Sequence, residues 1–234
     1  MTMAGRTQVQ STAVDAYKSE GGGIGAGSGA LDWLMENSEL STPSGLRCLE
    51  IGCGAGELVA RLAASGNKVI GVDIAEKCIE CVWSQVKKNL VNPKLVQTYL
   101  LDISHEPLQI KEDSIDIAFC TETIEHLSNP YHMFAEVKRV LRHEGHFVMA
   151  YPMPENNLGC GGGQHAHVYP GFLLRDSFER FCKQMYFKIV VRTENGSSAW
   201  YLLKNYKAEG IVDPFCMIAG NYEEEDLYGC LNNF

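Results

Sequence analysis

The chain of 234 residues is 45% hydrophobic and 21% charged, an ordinary composition for a globular protein and enough for one α/β domain. Its formal net charge of −9 argues against a general nucleic-acid binder, because phosphates must be met by lysine and arginine. No run of about 18 apolar residues occurs, and the first residues lack the apolar stretch of a signal peptide, so we expect a cytoplasmic protein without a membrane span.

The nine cysteines are scattered along the chain, and several lie inside apolar stretches, as Cys48 and Cys120 do. One C-x-x-C pair, Cys78 and Cys81, lies on a predicted helix without a second pair to complete a zinc site. We therefore expect reduced and mostly buried thiols, as in a reducing cytosol.

Changes in composition divide the chain into three parts. Residues 1–29 are polar and end in GGGIGAGSG, which predicts a glycine-rich N-terminal arm. Residues 30–206 carry the regular hydrophobic patterns and form the predicted domain. Residues 207–234 have little periodicity and include the run EEED, which predicts an acidic C-terminal tail.

From the first helix, ALDWLMENSEL, the pattern leads into strands that alternate with helices. The predicted strands are LRCLEI, KVIGV, KLVQTYLLD, SIDIAFC and GHFVMAY, and the predicted helices between them are GELVARLAAS, EKCIECVWSQVKKNL and SNPYHMFAEVKRVL. A helix, FLLRDSFERFCKQM, then precedes the strands FKIVVRT and SAWYLLKNY, which the turn ENGSS joins as a hairpin. Short apolar strands between helices indicate a doubly wound, mostly parallel α/β sheet, and the hairpin makes its terminal strand pair antiparallel.

The most informative stretch is LEIGCGAGE, in which a predicted strand runs into three closely spaced glycines before a helix. In the dinucleotide fingerprint G-x-G-x-x-G, the third glycine comes three residues after the second, whereas Gly56 comes only two residues after Gly54. Glu50, two residues before Gly52, would repel a pyrophosphate but suits an ammonium or sulfonium ion. Asp73 ends the second strand and can accept hydrogen bonds from ribose hydroxyls, and Asp102 ends the third strand within reach of an adenine amine. The three acids favour a cationic nucleoside over NAD.

The set of LEIGCGAGELVARLAASGNKVIGVDIAEKCIE, LLDI and IDIAFCTETIEHLSNP resembles the successive motifs of the class I S-adenosylmethionine-dependent methyltransferases, over about residues 46–206. The resemblance implies a Rossmann-like, seven-stranded sheet with an antiparallel terminal strand. It also implies S-adenosyl-L-methionine as cofactor, contacted by Glu50, Gly52, Cys53, Gly54, Asp73, Ile74, Asp102, Ile103 and Thr121.

The segment TETIEHL follows the fourth strand, beside the expected sulfonium. Glu122, Glu125 and His126 are spaced so that one helical turn would point them to the same side. Three interpretations stay open: ligands of a divalent metal ion, metal-free general bases in catalysis, or only the polar start of a helix, where acids are favourable.

The metal interpretation needs a further ligand, and the loop after the fifth strand carries His165 and His167. The E-x-x-E-H segment resembles those of the ubiquinone-pathway O-methyltransferases and of the small-RNA 2′-O-methyltransferases. The resemblance matches Glu122, Glu125 and His126 position by position and implies His167, or else His165, as the distal ligand of Mg, Mn, Fe or Zn. Leu127 stands where the RNA enzymes have a second histidine.

These observations predict a methyltransferase that acts on the hydroxyl of a small molecule, with or without help from a metal ion. One alternative is a metal-dependent RNA ribose 2′-O-methyltransferase, which the acidic charge and Leu127 disfavour. Another is a cofactor-binding subunit without catalytic activity. The sequence leaves the methyl acceptor and the oligomeric state open, because loops that build acceptor pockets vary freely on one fold.

Overall fold

The computed structural model describes residues 29–40, 43–153, 173–196 and 198–207. Its helices are α1 (Ala30–Asn37), α2 (Glu57–Ala64), α3 (Glu76–Lys88), α4 (Pro130–Val140) and α5 (Arg175–Gln184). Its strands are β1 (Arg47–Ile51), β2 (Lys68–Asp73), β3 (Val96–Leu100), β4 (Ile115–Thr121), β5 (Leu141–Pro152), β6 (Phe187–Asn195) and β7 (Ser198–Asn205). Short 3₁₀ helices lie at Pro93–Leu95 and Ile124–His126. The predicted arm, apart from Gly29, and the predicted tail, apart from Lys207, lie outside the described residues.

The strands form one seven-stranded sheet in the order β3-β2-β1-β4-β5-β7-β6. The pairs from β3 to β5 are parallel, whereas β7 pairs antiparallel with both β5 and β6. The predicted doubly wound sheet with an antiparallel terminal strand is therefore confirmed. The strand order reverses between β1 and β4, because β2 and β3 lie on one side of β1 and β4 on the other. The carboxyl ends of β1 and β4 therefore border the crevice in which such sheets bind ligands.

Two hydrophobic clusters cover the two faces of the sheet. On one face, α4 and α5 pack aromatic side chains such as Phe134 and Phe178 against buried strand residues that include Leu49. On the other face, α1, α2 and α3 cover side chains such as Phe119 and Leu202. Because both faces are buried at the centre of the sheet, β1, β2 and β4 are almost continuously apolar instead of alternating with polar residues.

The start of α4 shows how local chemistry sets a helix boundary near the site. The side chain of Asn129 accepts a hydrogen bond of 3.2 Å from the backbone N–H of His132, and Pro130 occupies the first turn. A capping oxygen satisfies a backbone donor that the helix itself leaves without an acceptor.

None of the six cysteines in the described part of the chain forms a disulfide bond, and five of them are buried. Within the same residues, no helix is long and apolar enough to cross a bilayer.

Candidate active site

The glycine turn after β1 depends on residues without a side chain. Its three glycines all have left-handed backbone conformations, with φ of 71° at Gly52, 45° at Gly54 and 77° at Gly56. A Cβ atom at Gly52 would lie 2.1 Å from Oγ1 of Thr123, and one at Gly56 would lie 2.5 Å from Cα of Val82. Glycine is therefore required both for the backbone conformation and for the close approach of the neighbouring segments.

Asp73 holds this turn against the end of β2. Its Oδ2 accepts a hydrogen bond of 3.0 Å from the N–H of Gly54, and its Oδ1 accepts one of 2.9 Å from the N–H of Ala75. Burial raises the pKa of Asp73, and these two N–H donors partly oppose that rise. Each carboxylate oxygen can accept more than one hydrogen bond, so the predicted contact with ribose hydroxyls stays a prediction that this geometry allows.

Glu50 is a buried acid with an unsatisfied oxygen. It is 3% exposed, and its Oε2 has no hydrogen-bond partner. Burial, and then the neighbouring carboxylate of Asp73, raise the pKa of Glu50 well above its usual range. A buried carboxylate without a partner opposes folding unless it is protonated or meets a positive charge. This position therefore suits a cationic ligand, as the sequence predicts.

The segment after β3 brings Asp102 to the same edge of the sheet. The N–H of Leu101 donates a hydrogen bond of 2.9 Å to the carbonyl of Asp73, so the two acids lie on adjoining segments. Asp102 stands two residues beyond the observed end of β3, and its Oδ1 accepts a hydrogen bond of 3.1 Å from Ser104. The carbonyl of the buried Ile103 lies 2.9 Å from Nδ1 of His132, which ties this segment to α4.

The segment TETIEHL is not the α-helical turn that its spacing predicts. Glu122 has a left-handed φ of 48°. Its N–H continues the pairing with β5 by donating a hydrogen bond of 2.8 Å to the carbonyl of Ala150. Helical geometry is limited to the three residues of the 3₁₀ helix that ends at His126. The prediction of a common helical face for the two glutamates and the histidine is therefore wrong, because sheet pairing holds Glu122 outside the turn.

Ser198 is a partner of Glu122 that the sequence analysis missed. Its hydroxyl donates a hydrogen bond of 2.8 Å to Oε1 of Glu122 from the first residue of β7. The two residues are 76 positions apart in the chain, and no sequence motif links them. Thr123 was also missed. Its hydroxyl donates a hydrogen bond of 3.0 Å to the carbonyl of Thr121, and this bond orients the Thr123 side chain that faces Gly52.

Glu125 is the most isolated carboxylate of the site. It is 3% exposed, and neither of its carboxylate oxygens has a hydrogen-bond partner. Burial, and then the charge of Glu122, raise the pKa of Glu125 well above its usual range. Nε2 of His126 lies 3.6 Å from Oε1 of Glu125, too long for a strong hydrogen bond. The raised pKa favours the protonated form of this carboxyl.

The predicted metal site is only partly within the described residues. Among them, no group of three or more histidine, cysteine, aspartate or glutamate side chains is arranged to hold a metal ion. His167 and its alternative, His165, lie outside the described residues. The predicted ligand set of Glu122, Glu125, His126 and His167 is thus unsupported by the described residues and remains a prediction.

Comparison with known proteins finds a match to a methyltransferase domain over residues 49–149. The chain is 29% identical over 101 residues to a ubiquinone biosynthesis O-methyltransferase of Glaesserella parasuis, which covers 43% of each protein. It is also 29% identical over 107 residues to the 27-O-demethylrifamycin SV methyltransferase of Amycolatopsis mediterranei, covering 45% of this chain and 38% of that enzyme. The chain thus matches less than half the length of either relative.

Among solved structures, the fold resembles a SAM-dependent methyltransferase from Aquifex aeolicus. The TM-score is 0.60 at 16% identity, and the match covers 85% of this chain and 99% of that one. At this identity the likeness concerns the fold alone. The match extends the shared architecture well beyond residues 49–149.

Proposed function

We propose that the chain is a class I S-adenosylmethionine-dependent methyltransferase and that it methylates a hydroxyl oxygen of a small molecule, given the match of residues 49–149 to a methyltransferase domain. The observation that carries the oxygen acceptor is Glu125, a buried carboxylate without a hydrogen-bond partner, beside His126 at the carboxyl end of β4. A hydroxyl, unlike a thioether or a free amine, must lose a proton during methylation. One relative is named an O-methyltransferase and another a 27-O-demethylrifamycin SV methyltransferase, and both names support the same choice.

The residues around the glycine turn would bind the cofactor. Left-handed glycines allow a ligand to approach the backbone, and the unsatisfied oxygen of the buried Glu50 suits a positive charge. In this proposal Asp73 accepts hydrogen bonds from the ribose hydroxyls, and Asp102 accepts one from the adenine amine. When bound, S-adenosylmethionine supplies an activated methyl group on a sulfonium.

The protein's part in the reaction would be to align the acceptor and to remove its proton. The new bond joins the acceptor oxygen to the methyl carbon as the bond from that carbon to sulfur breaks, and the electron pair stays on sulfur. The hydroxyl proton goes to Glu125 directly or through His126. The raised pKa makes the carboxylate form of Glu125 a stronger base than an ordinary glutamate. Alignment of the reacting atoms would provide most of the acceleration.

A metal-assisted form of this reaction would need Glu122, Glu125 and His126 to rearrange around a divalent ion, because these described residues form no group arranged to hold one, and His167 would be the further ligand. Two oxygens of Glu125 without hydrogen-bond partners fit this role. A metal ion on the acceptor oxygen would lower its pKa. Dialysis against a chelator, followed by assay with and without added Mg²⁺, Mn²⁺, Fe²⁺ or Zn²⁺, separates the two forms.

The decisive experiment measures cofactor and acceptor chemistry in turn. Calorimetry should show saturable binding of S-adenosylhomocysteine and none of NAD. Incubation with radiolabelled S-adenosylmethionine and a pool of phenols, catechols and aliphatic alcohols should then give labelled ethers. The Glu125→Gln variant should lose this activity and still bind S-adenosylhomocysteine. Tight binding of NAD would overturn the cofactor assignment, and full activity of Glu125→Gln would overturn the role of Glu125.

A further inference from the structure

A pocket of about 230 Å³ lies at the carboxyl end of β5, beside the candidate active site. It is lined by residues of β5, β6 and β7 and by residues around the start of α5. Drug-sized ligands usually occupy pockets of about 300–1,000 Å³, so this one has room for a single-ring group and not for a large molecule.

One part of the pocket wall is apolar and aromatic. Met153, Leu173 and Ala199 supply aliphatic surface, and Tyr151 and Tyr201 supply two rings. These two rings are stacked, with centroids 5.9 Å apart and planes 11° from parallel. This surface suits the apolar body of a ligand.

The other part of the wall carries two guanidinium groups. Nε of Arg175 and Nε of Arg192 lie 3.1 Å and 3.5 Å from the same oxygen of Glu179, so the two cations converge from α5 and β6. Nε of Arg192 also donates 3.1 Å to the hydroxyl of Tyr201. These contacts hold Arg192, which is 17% exposed, in one orientation.

Glu194 lies on the same strand as Arg192, β6, and already binds its guanidinium group. Its Oε1 accepts a hydrogen bond of 2.5 Å from Nη2 of Arg192, although the side chain of Glu194 is 49% exposed. An exposed carboxylate contributes little to stability through such a pair, so a carboxylate of a ligand can exchange with it. A planar guanidinium is well matched to a carboxylate, which it can bind through two parallel hydrogen bonds.

We propose that this pocket binds a carboxylate carried on the single-ring apolar body of the methyl acceptor, with Arg192 and Arg175 as its cationic contacts. The acceptor would thus be an anionic, ring-sized acid that bears a hydroxyl. Glu194 is the internal anion that the ligand's carboxylate displaces.

The pocket lies on the face of the sheet that also packs against the segment of Glu125. Tyr151 and Ala199 of the pocket wall pair in the ladder and belong to the same hydrophobic cluster as Ile124, the residue before Glu125. Neighbouring residues of a strand point to opposite faces, so the Ser198 side chain lies on the other face of the sheet. The assignment of the pocket to the acceptor rests on the proposed function, because only a transferase needs an acceptor at this edge.

The test compares two probes that share a catechol ring, 3,4-dihydroxybenzoate with an anionic carboxylate and 3,4-dihydroxybenzyl alcohol with a neutral hydroxymethyl group. Calorimetry on the full chain saturated with S-adenosylhomocysteine measures their binding without any turnover. Wild-type protein should bind the benzoate roughly tenfold more tightly, the effect of one charge-assisted contact. Arg175→Gln and Arg192→Gln should each reduce this preference, and Glu194→Gln should increase it, while affinity for the alcohol changes little in all three.

Equal affinities of wild-type protein for the two probes, or no saturable binding of either at millimolar concentration, would overturn the proposal. An unchanged preference in Arg175→Gln and Glu194→Gln would do the same, and these two surface variants decide the matter if Arg192→Gln fails to fold. Binding of S-adenosylhomocysteine and methyl transfer to other hydroxyls are measured separately. If those persist without a preference for the carboxylate, this inference fails and the proposed function stands.

Discussion

The hydroxyl of Ser198 lies 2.8 Å from Oε1 of Glu122 and joins the start of β7 to the residue that follows β4. Glu122 has a left-handed backbone, and its N–H is bound to Ala150 on β5. Backbone and side chain of Glu122 are therefore both held by neighbouring strands. The position of this carboxylate depends on the terminal hairpin and not on its own segment alone.

Replacing Ser198 with alanine should lower kcat by roughly tenfold, because Glu122, whose charge helps to raise the pKa of the proposed base Glu125, then loses its fixed position. The KM for S-adenosylmethionine should change little. Ser198→Thr keeps a hydroxyl and should restore most of the rate. In a Glu122→Gln background, Ser198→Ala should have no further effect on kcat, and an additive loss would show that Ser198 acts independently of Glu122.

Gly52→Ala should prevent cofactor binding and destabilise the fold by about 2–4 kcal/mol, because a positive φ and a clash with Thr123 add together. The matched control is Gly45→Ala, since Gly45 has the same φ of 71° but nothing within 4 Å of the added Cβ. The control should lose only about 1–2 kcal/mol and still bind S-adenosylhomocysteine. Thermal unfolding and calorimetry measure both effects, and equal losses in the two variants would exclude the clash with Thr123 as a cause.

Affinity for S-adenosylhomocysteine should rise with pH from the acidic to the neutral range. The raised pKa of Glu50 keeps this carboxyl protonated at low pH, whereas binding the ammonium group of the ligand requires the charged form. Glu50→Gln should bind more weakly at neutral pH and lose most of this pH dependence. Calorimetric titrations across the pH range check the prediction, and a slope that is the same in the variant would assign the pH dependence to another group.

Glu125→Gln should make the protein more stable at neutral pH by about 1–3 kcal/mol, because a neutral amide avoids both a buried charge and the proton uptake that a carboxyl with a raised pKa needs. The pKa of Glu125 in the folded protein lies well above its ordinary value of 4.5, so the folded state binds more protons than the unfolded state. Wild-type stability therefore falls as pH rises above about 4.5 toward the raised value. The variant has no proton to lose there, so its advantage should shrink as pH falls.

Glu136 is the matched control for this prediction. It is also buried, but hydrogen bonds from Arg139 and from the N–H of Leu108 overcome the effect of burial and lower its pKa. The stability it contributes is present above the ordinary pKa, so Glu136→Gln should destabilise the protein at neutral pH. Thermal unfolding as a function of pH measures both variants. Destabilisation by Glu125→Gln at neutral pH would show that Glu125 has a stabilising partner in the folded protein.

Much of the architecture follows from the sequence alone. Apolar strands separated by amphipathic helices specify a sheet covered on both faces, and the glycines after β1 specify a turn that only glycine can form. Asp73 was expected at the end of β2 and lies there. These features depend on neighbours in the chain, and local periodicity and backbone sterics are sufficient to determine them.

The tertiary structure alone decided which atoms of the site have partners. The positions of Glu122, Glu125 and His126 in the sequence fit an α-helical turn as well as the observed 3₁₀ turn. The hydrogen bond from the Glu122 N–H to β5 is what keeps Glu122 outside that turn. The bond from Ser198 to Glu122 and the convergence of Arg175 and Arg192 on Glu179 join residues from separate elements. Burial and hydrogen bonding depend on distances in space, which residues far apart in the chain acquire only when the sheet and its helices are assembled.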